Sequence, residues 1–352
     1  MIIYYLVLII SVLLVKLNDY FKIIILEKKI SIIYIFNALI ILTLAILRSE
    51  DIGKDTPHYR IYFDRMLMGD SGDSPYEPGF YLLTKTFQLF SSDFQSFLAF
   101  CSVITLIPIL YVLKKENNHY LWMTVFIFIC TQYVSSFSIL RGYLAVANIL
   151  IAYQFINRDG KKKVYWFFLL IATLLHYSTI IYVFILWLSK KKINIRYYIF
   201  PIFIAILFSV PGIGQYMRNF IIEFMYRFRP DYSAYDMSYE LDIGIVYIII
   251  YSILAVFSLF YYKSLLKLNP KNLILINIAI IMLIFNMSMS WFPAYSRVSS
   301  SFLIFMALLV PEIIRCEKNR ATRFVYKIGF CLMFIIYMYL NLPPLYSVYS
   351  FR

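Results

Sequence analysis

The sequence predicts an all-α, polytopic integral membrane protein with about ten transmembrane helices plus a re-entrant helical hairpin at 164–188. Three observations predict it. Of 352 residues, 62% are hydrophobic and 15% charged, with a mean hydropathy of +0.75, whereas soluble domains carry roughly 25% charged residues. The apolar residues come in runs of about twenty, the length that crosses the hydrocarbon core of a bilayer, and they run on without the period-two alternation of a transmembrane barrel. The net charge of +14 falls largely in short connections such as Lys161–Lys163 and Lys190–Lys192. Cytoplasmic loops are enriched in this way, so the charge reports topology and argues against a nucleic-acid partner. The four cysteines imply no disulfide framework: Cys101, Cys130 and Cys331 lie in apolar runs and Cys316 in a basic loop.

Taken in order, Met1–Val15 is a first span, because it lacks the basic leader and small-residue cleavage site of a removed signal. A basic loop (Lys16, Lys22, Lys28, Lys29) follows on the inner side. Ile30–Leu47 returns outward and delivers a long polar stretch, Arg48–Pro78. Gly79–Phe90 is apolar but short and contains Lys85, which suits an interfacial or half-inserted helix. Phe94–Leu113 crosses inward, Leu121–Phe137 outward and Ile139–Ile156 inward again. Val164–Leu188 has basic loops on both sides. Two half-helices meeting near His176-Tyr177-Ser178 keep both loops inside, and irregular backbone at membrane depth requires a cover of protein or a water-filled cavity.

Tyr197–Val210 then leads to a second outer stretch, Gly214–Ile243. Gly244–Tyr262, Asn272–Ser290, Val298–Ile314 and Phe324–Leu342 complete the spans, with a short loop at 291–295. The two outer loops, 48–78 and 214–243, hold seven and five of the 19 acids. No internal repeat and no soluble domain interrupts the chain, which reads as one integral membrane domain, 1–352.

A charge at membrane depth costs about 2.5–3.5 kcal/mol, so those present usually face a cavity or a partner. Arg141 opens a span beside Gly142 and Ala145 and follows serines 135, 136 and 138. His176 sits at the expected helix break. Arg297 precedes a late span. In this topology all three stand near the outer ends of their helices, on the side of the 48–78 loop. Within that loop Asp51, Asp55 and Glu77 are candidate functional acids, whereas Asp64, Asp70 and Asp73 read as solvated. Tyr59, Tyr62, Phe63, Tyr76 and Phe80 could stack on sugar faces. There is no phosphate-binding glycine loop, no CxxC or HExxH metal spacing and no GxSxG elbow. Neither a metal nor a cofactor is expected.

Arg48, Gly53, Asp55 and Tyr59 after the second span, then EPGF at Glu77–Phe80, then Arg141, His176 and Arg297 at span ends, together resemble the EpsG-type branch of Wzy-like bacterial polysaccharide polymerases. The resemblance covers roughly residues 30–310. It departs from the family pattern at Gly142, where glutamine is usual, and at Lys54, where threonine is usual.

The resemblance implies a multi-pass protein of the bacterial cytoplasmic membrane with its active site facing outside. It implies that undecaprenyl-pyrophosphate-linked repeat units are joined there into a capsule, exopolysaccharide or O-antigen chain. His176 would serve as base or orienter, Arg141 and Arg297 would hold the pyrophosphate, and Arg48, Asp55, Tyr59 and Glu77 would contact substrate; Asp55 or Glu77 is the rival base. The implied partners are the lipid-linked donor and acceptor, membrane lipids, and the flippase and chain-length regulator of the same pathway. A flippase or exporter of lipid-linked glycans, and a membrane acyltransferase, are the alternative functions. The first needs a charged path across the bilayer, whereas the charges here gather at one face.

Overall fold

The computed structural model describes residues 2–17, 23–25, 28–30, 32–69, 76–117, 119–156, 160–182, 196–228, 244–289 and 295–342. Its backbone contacts divide the chain into two compact units, Met1–Val183 with Phe324–Arg352, and Phe184–Arg323.

In the first unit α1 (Ile2–Leu17) and α2 (Ile32–Ile46) flank a short antiparallel strand pair, Ile23–Ile25 with Lys28–Ile30, in which Ile23 pairs with Ile30. The sequence predicts only a basic loop there. Ile23, Ile24, Ile25 and Ile30 are β-branched, and such side chains favour extended backbone. Next come α3 (Thr56–Leu67), α4 (Pro78–Gln88), α5 (Phe94–Glu116) and α6 (Leu121–Phe128), the last continuing through a π-helical turn, Ile129–Tyr133. Then follow α7 (Ser135–Ser138), α8 (Leu140–Phe155) and α9 (Lys162–Leu175). The second unit comprises α10 (Arg196–Ser209), α11 (Pro211–Phe228), α12 (Gly244–Phe260), α13 (Tyr262–Leu268), α14 (Asn272–Met289) and α15 (Tyr295–Cys316). Most of α16 (Arg320–Asn341) belongs to the first unit.

Among the described residues four helices are long and apolar enough to cross a bilayer: α5, α14, α15 and α16. The number rises to six if each of two bent pairs, α10 with α11 and α12 with α13, forms one span. α1, α2 and Leu121–Tyr133 are apolar but shorter. At 1.5 Å per residue the 15 residues of α2 reach about 22 Å, against a hydrocarbon core of about 30 Å. Most helices fall where the sequence places its apolar runs, but α11 occupies 211–228, a helix where the second outer loop is expected to begin, and α13 lies in the basic connection after Tyr262. Among the described residues, length and composition support four to six of the roughly ten expected crossings. The second half of the expected hairpin, from 183 on, residues 229–243 of the second outer loop, and the expected loop at 291–294 lie outside the described residues.

The stretch 48–78 is not simply a loop. Pro57 sits in the first turn of α3, where its fixed φ suits the helix and its missing N–H costs nothing. Tyr59, Tyr62, Phe63 and Met66 then recur at helical spacing, and all four are buried.

The first unit is organised around α5 and α8. α8 packs on α9 and α5, α5 on α2, and α1 on α2 and α6. Large apolar side chains stand exposed on α1 (Ile2, Leu6, Ile9, Leu13) and α16 (Phe324, Val325, Leu332, Ile336), as on helices that face lipid. Interior polar groups close on backbone: the Tyr34 hydroxyl donates to Leu110 O and that of Tyr133 to Ile41 O, each at 2.8 Å. In the second unit α14 packs against α10, α12 and α15. There the Ser299 hydroxyl donates to Asn286 Oδ1 and the Tyr251 hydroxyl to Ser299 O, both at 2.7 Å.

Arg48 is 1% exposed. Its Nη1 donates to Ala45 O at 2.8 Å and to the Ser102 hydroxyl at 2.9 Å, and its guanidinium lies 4.7 Å from the centre of the Phe137 ring. Gln95 adds a 2.9 Å bond to Ile46 O and another to Arg48 O. Together they cap the C-terminus of α2, whose last carbonyls have no partners within the helix, and lock it to α5. Arg48→Ala removes bonds made by a buried charged donor, worth about 1.5–3 kcal/mol each. A lower melting temperature of the purified protein is expected, with Arg48→Lys failing to restore it because a single ammonium cannot both cap and stack.

Candidate active site

Three helix ends of the first unit meet on one carboxylate. The short connection between α8 and α9 makes them antiparallel neighbours, so the first turn of α8, with Arg141, lies beside the end of α9, with His176. α4 brings Glu77 between them. Glu77 Oε2 accepts a hydrogen bond from Arg141 Nη1 within an ion pair. Its Oε1 stands 3.0 Å from His176 Nδ1 and accepts the Tyr177 backbone N–H at 3.2 Å.

Local sequence explains why each group is presented. Glu77 is the N-cap residue of α4 in an extended conformation (φ −63°, ψ 149°), and Pro78 begins the helix. Gly79 is needed for contact: a Cβ there would lie 2.7 Å from the carbonyl carbon and oxygen of Leu174, in the last turn of α9. Phe80 is fully buried against Tyr59, Tyr62, Tyr76 and Phe97. In EPGF, then, the glutamate supplies charge, the proline starts the helix, the glycine permits close approach and the phenylalanine anchors it.

His176 lies where α9 ends. Its backbone is extended (φ −158°, ψ 111°) and a 3₁₀ turn, Tyr177–Thr179, follows, so the helix break expected at 176–178 is present. The Thr179 hydroxyl donates to His176 O at 2.6 Å and closes that turn. Arg141 likewise follows a break. After the π turn and α7, Ile139 leaves helical geometry (φ −94°, ψ 63°) before α8 starts. Such π-helical turns are often found at functional sites. At Gly142 a Cβ would crowd an Ile139 methyl at 2.8 Å but make only ordinary contact, 3.7 Å, with His176 Cδ2.

Aromatic rings surround the arginine. Its guanidinium lies 4.1 Å from the Tyr76 ring centre and 5.8 Å from that of Tyr59, and its Nε–H points at the Tyr59 hydroxyl at 3.5 Å. Burial pushes the phenols of Tyr76 and Tyr59 upward, so both stay neutral. Burial also opposes ionisation of Glu77, but the hydrogen bond from His176 and the charge of Arg141 outweigh it and hold the carboxyl at about 2, below its ordinary 4.5. The side chain of Glu77 is 7% exposed, while those of Arg141 and His176 are 18% and 26% exposed. The two nitrogen-bearing groups meet the surroundings; the carboxylate supports them from behind.

The remaining candidates fall differently. Asp55 precedes α3, and its backbone N–H donates to the Ser138 hydroxyl at 3.2 Å. Gly53 beside it has φ +106°, and a Cβ there would lie 2.6 Å from Phe137 O, so this turn fastens α3 to α7 just before Arg141. Tyr59 joins the cluster. Arg48 does not: its side chain is buried in the α2–α5 contact. Arg297 lies in the first turn of α15 in the second unit, whereas the cluster is built wholly from the first. Sequence reading treats Tyr76 only as a sugar stacker and misses its contact with Arg141. The signal was local, since Tyr76 directly precedes the Glu-Pro that starts α4.

A sequence model of the EpsG family matches residues 31–351 of the chain. No curated protein and no solved structure matched it.

Two outcomes follow from the cluster. Glu77 is depressed in the folded protein, so its contribution to stability is complete above its ordinary 4.5 and is lost as pH falls towards 2. Acid titration of melting temperature should therefore show a steeper fall over this window in the wild type than in Glu77→Gln. Gly79→Ala should cost about 1–3 kcal/mol by overpacking, read as a lower melting temperature. Gly329→Ala, where a Cβ meets nothing within 4 Å, should not destabilise.

Proposed function

The chain belongs to the EpsG family, and from that premise we propose that it is a membrane glycosyltransferase that joins lipid-linked oligosaccharide repeat units into a surface polysaccharide. Family membership implies the polymerase-like role. The observation that carries the chemical reading is the bridge from Arg141 through Glu77 to His176.

In the proposed reaction the hydroxyl of an acceptor glycan attacks the anomeric carbon of the donor. The bond from that carbon to the pyrophosphate oxygen breaks, and undecaprenyl pyrophosphate leaves with the electron pair. His176 takes the hydroxyl proton. With Nδ1 directed at an ionised Glu77, the neutral ring carries its proton there and keeps the Nε2 lone pair for the acceptor. As the imidazolium forms, the carboxylate behind it is already in place, so little reorganisation is required. Glu77 itself, held near 2, is too weak a base at neutral pH, which favours the histidine over the carboxylate in that role.

Arg141 uses one Nη1–H on Glu77 and directs Nε at Tyr59. Its other N–H groups have no hydrogen-bond partner among the described residues and can bind an anion, and charge accumulates on the pyrophosphate as it departs. The resemblance gives Arg297 a share of that load. The reaction is placed at the outer face of the cytoplasmic membrane, a reading supported by the Lys- and Arg-rich connections assigned to the opposite side. The flippase and chain-length regulator of the same pathway are the proposed protein partners.

The test is a strain lacking the protein, complemented with single variants and examined for polymer length and lipid-linked intermediates. His176→Ala should lower the polymerisation rate by about 10²–10⁴-fold and Arg141→Ala by about 10²–10³-fold. Single repeat units should accumulate on lipid, with the rate taken per amount of each variant present in the membrane. Normal chain length in both variants would sink the assignment.

A further inference from the structure

The geometry points to a lipid-docking surface on α4 and the turn that closes it: the stripe Leu82, Thr86, Leu89 and Phe90 lies in the headgroup–acyl boundary of the leaflet on the side of the Glu77 cluster. The inference rests on the chain being a membrane protein and not on the chemistry proposed above.

Two observations carry it. The first is polarity. α4 is buried through Phe80 and Thr84; Leu82 and Thr86 stand exposed one helical turn apart on the opposite face, and Leu89 and Phe90 extend the exposed surface in the turn that closes the helix. A surface helix in water keeps its polar residues on that outer face; here three of the four are large and apolar, with Leu89 and Phe90 each 82% exposed. The polar residues of the helix turn the other way. Lys85 Nζ donates to Met66 O and Gln88 Nε2 to Phe63 O, each at 2.9 Å, which caps the last turn of α3 and removes the lysine charge from the outer face. Met68, at the end of α3, is exposed as well.

The second is depth. α4 does not sit above the end of the neighbouring candidate span but beside it. Phe87 packs on Phe97 and Phe100 of α5 with ring centres 5.3 Å apart in both pairs. Phe100 is six residues into α5, about 9 Å along its axis. A helix whose end lies level with that point stands within the depth of about 5–10 Å reached by interfacial amphipathic helices. The apolar stripe therefore stands beside the first two turns of a candidate span. Docked in this way, α4 holds its N-terminus, and Glu77 with it, at the level of the lipid headgroups.

Spin labels at Leu82→Cys, Leu89→Cys and Phe90→Cys, in protein whose native cysteines are alanine, report the surroundings after reconstitution into phosphatidylethanolamine–phosphatidylglycerol bilayers. Collision with oxygen should exceed collision with a water-soluble nickel chelate several-fold, as at Leu332→Cys in α16, and the order should reverse at Lys318→Cys in the polar 317–319 connection. Preference for the nickel chelate at 89 and 90 would mean a watery surface and overturn the inference. Exclusion of both reagents would mean a protein cover and overturn it equally. Should the cysteine replacements prevent folding, Phe90→Trp in the otherwise native chain gives a second reading. Brominated lipids should then quench an added component of the emission, and no added quenching contradicts lipid contact. Neither reading depends on polymerase activity, so its failure is separable from failure of the proposed reaction.

Discussion

One buried carboxylate ties three helix ends of the first unit together. Glu77 accepts from the guanidinium of Arg141, faces the imidazole of His176 and takes the backbone N–H of Tyr177. Three helices with separate positions in the sequence therefore share one electrostatic anchor. Removing one member of such a buried pair leaves an uncompensated charge and costs about 3–5 kcal/mol. The arrangement also divides labour: the carboxylate gives up its own basicity, and the arginine and histidine are left aimed by it. A guanidinium between tyrosine rings has few orientations open to it, so its donors are set before any anion arrives.

The cluster sits where regular helix fails. α9 stops at His176, α8 begins after the non-helical Ile139, and a π turn precedes α7. Broken helices expose backbone N–H groups that continuous ones consume, and the Tyr177 N–H bonded to Glu77 is one of these. Backbone groups freed in a buried place need partners or cover. α4 supplies the cover at close range, which the missing Cβ of Gly79 permits. The same helix turns its lysine and glutamine inward to cap α3, so one short element orients the carboxylate, closes its neighbour and leaves an apolar outer stripe.

Much of this was legible in the sequence. Apolar runs placed the helices to within a few residues, and the two basic loops around 164–188 pointed to a break at His176. The pattern of Arg141, His176 and EPGF marked the residues that meet. What escaped had physical causes. The 48–78 stretch looked like a loop because its charges dominate composition, although Pro57 and the buried positions 59, 62, 63 and 66 encode α3. Glu77 looked like a substrate contact because a linear sequence does not show that both of its oxygens are already taken. The resemblance gave Arg48 a substrate contact, yet a helix C-terminus is also an anion-like partner, and Arg48 caps α2. Apolar runs also do not fix the number of crossings, since α1 and α2 are apolar enough but short.

The central claim is that Glu77 acts on the reaction through His176 and not as an independent contact. A double-mutant cycle on polymerisation rate in reconstituted membranes, using Glu77→Gln, His176→Gln and the pair, measures this directly. Residues that act as a unit are strongly non-additive. The double variant should be no slower than His176→Gln alone. Multiplication of the two single losses in the double variant would contradict the account.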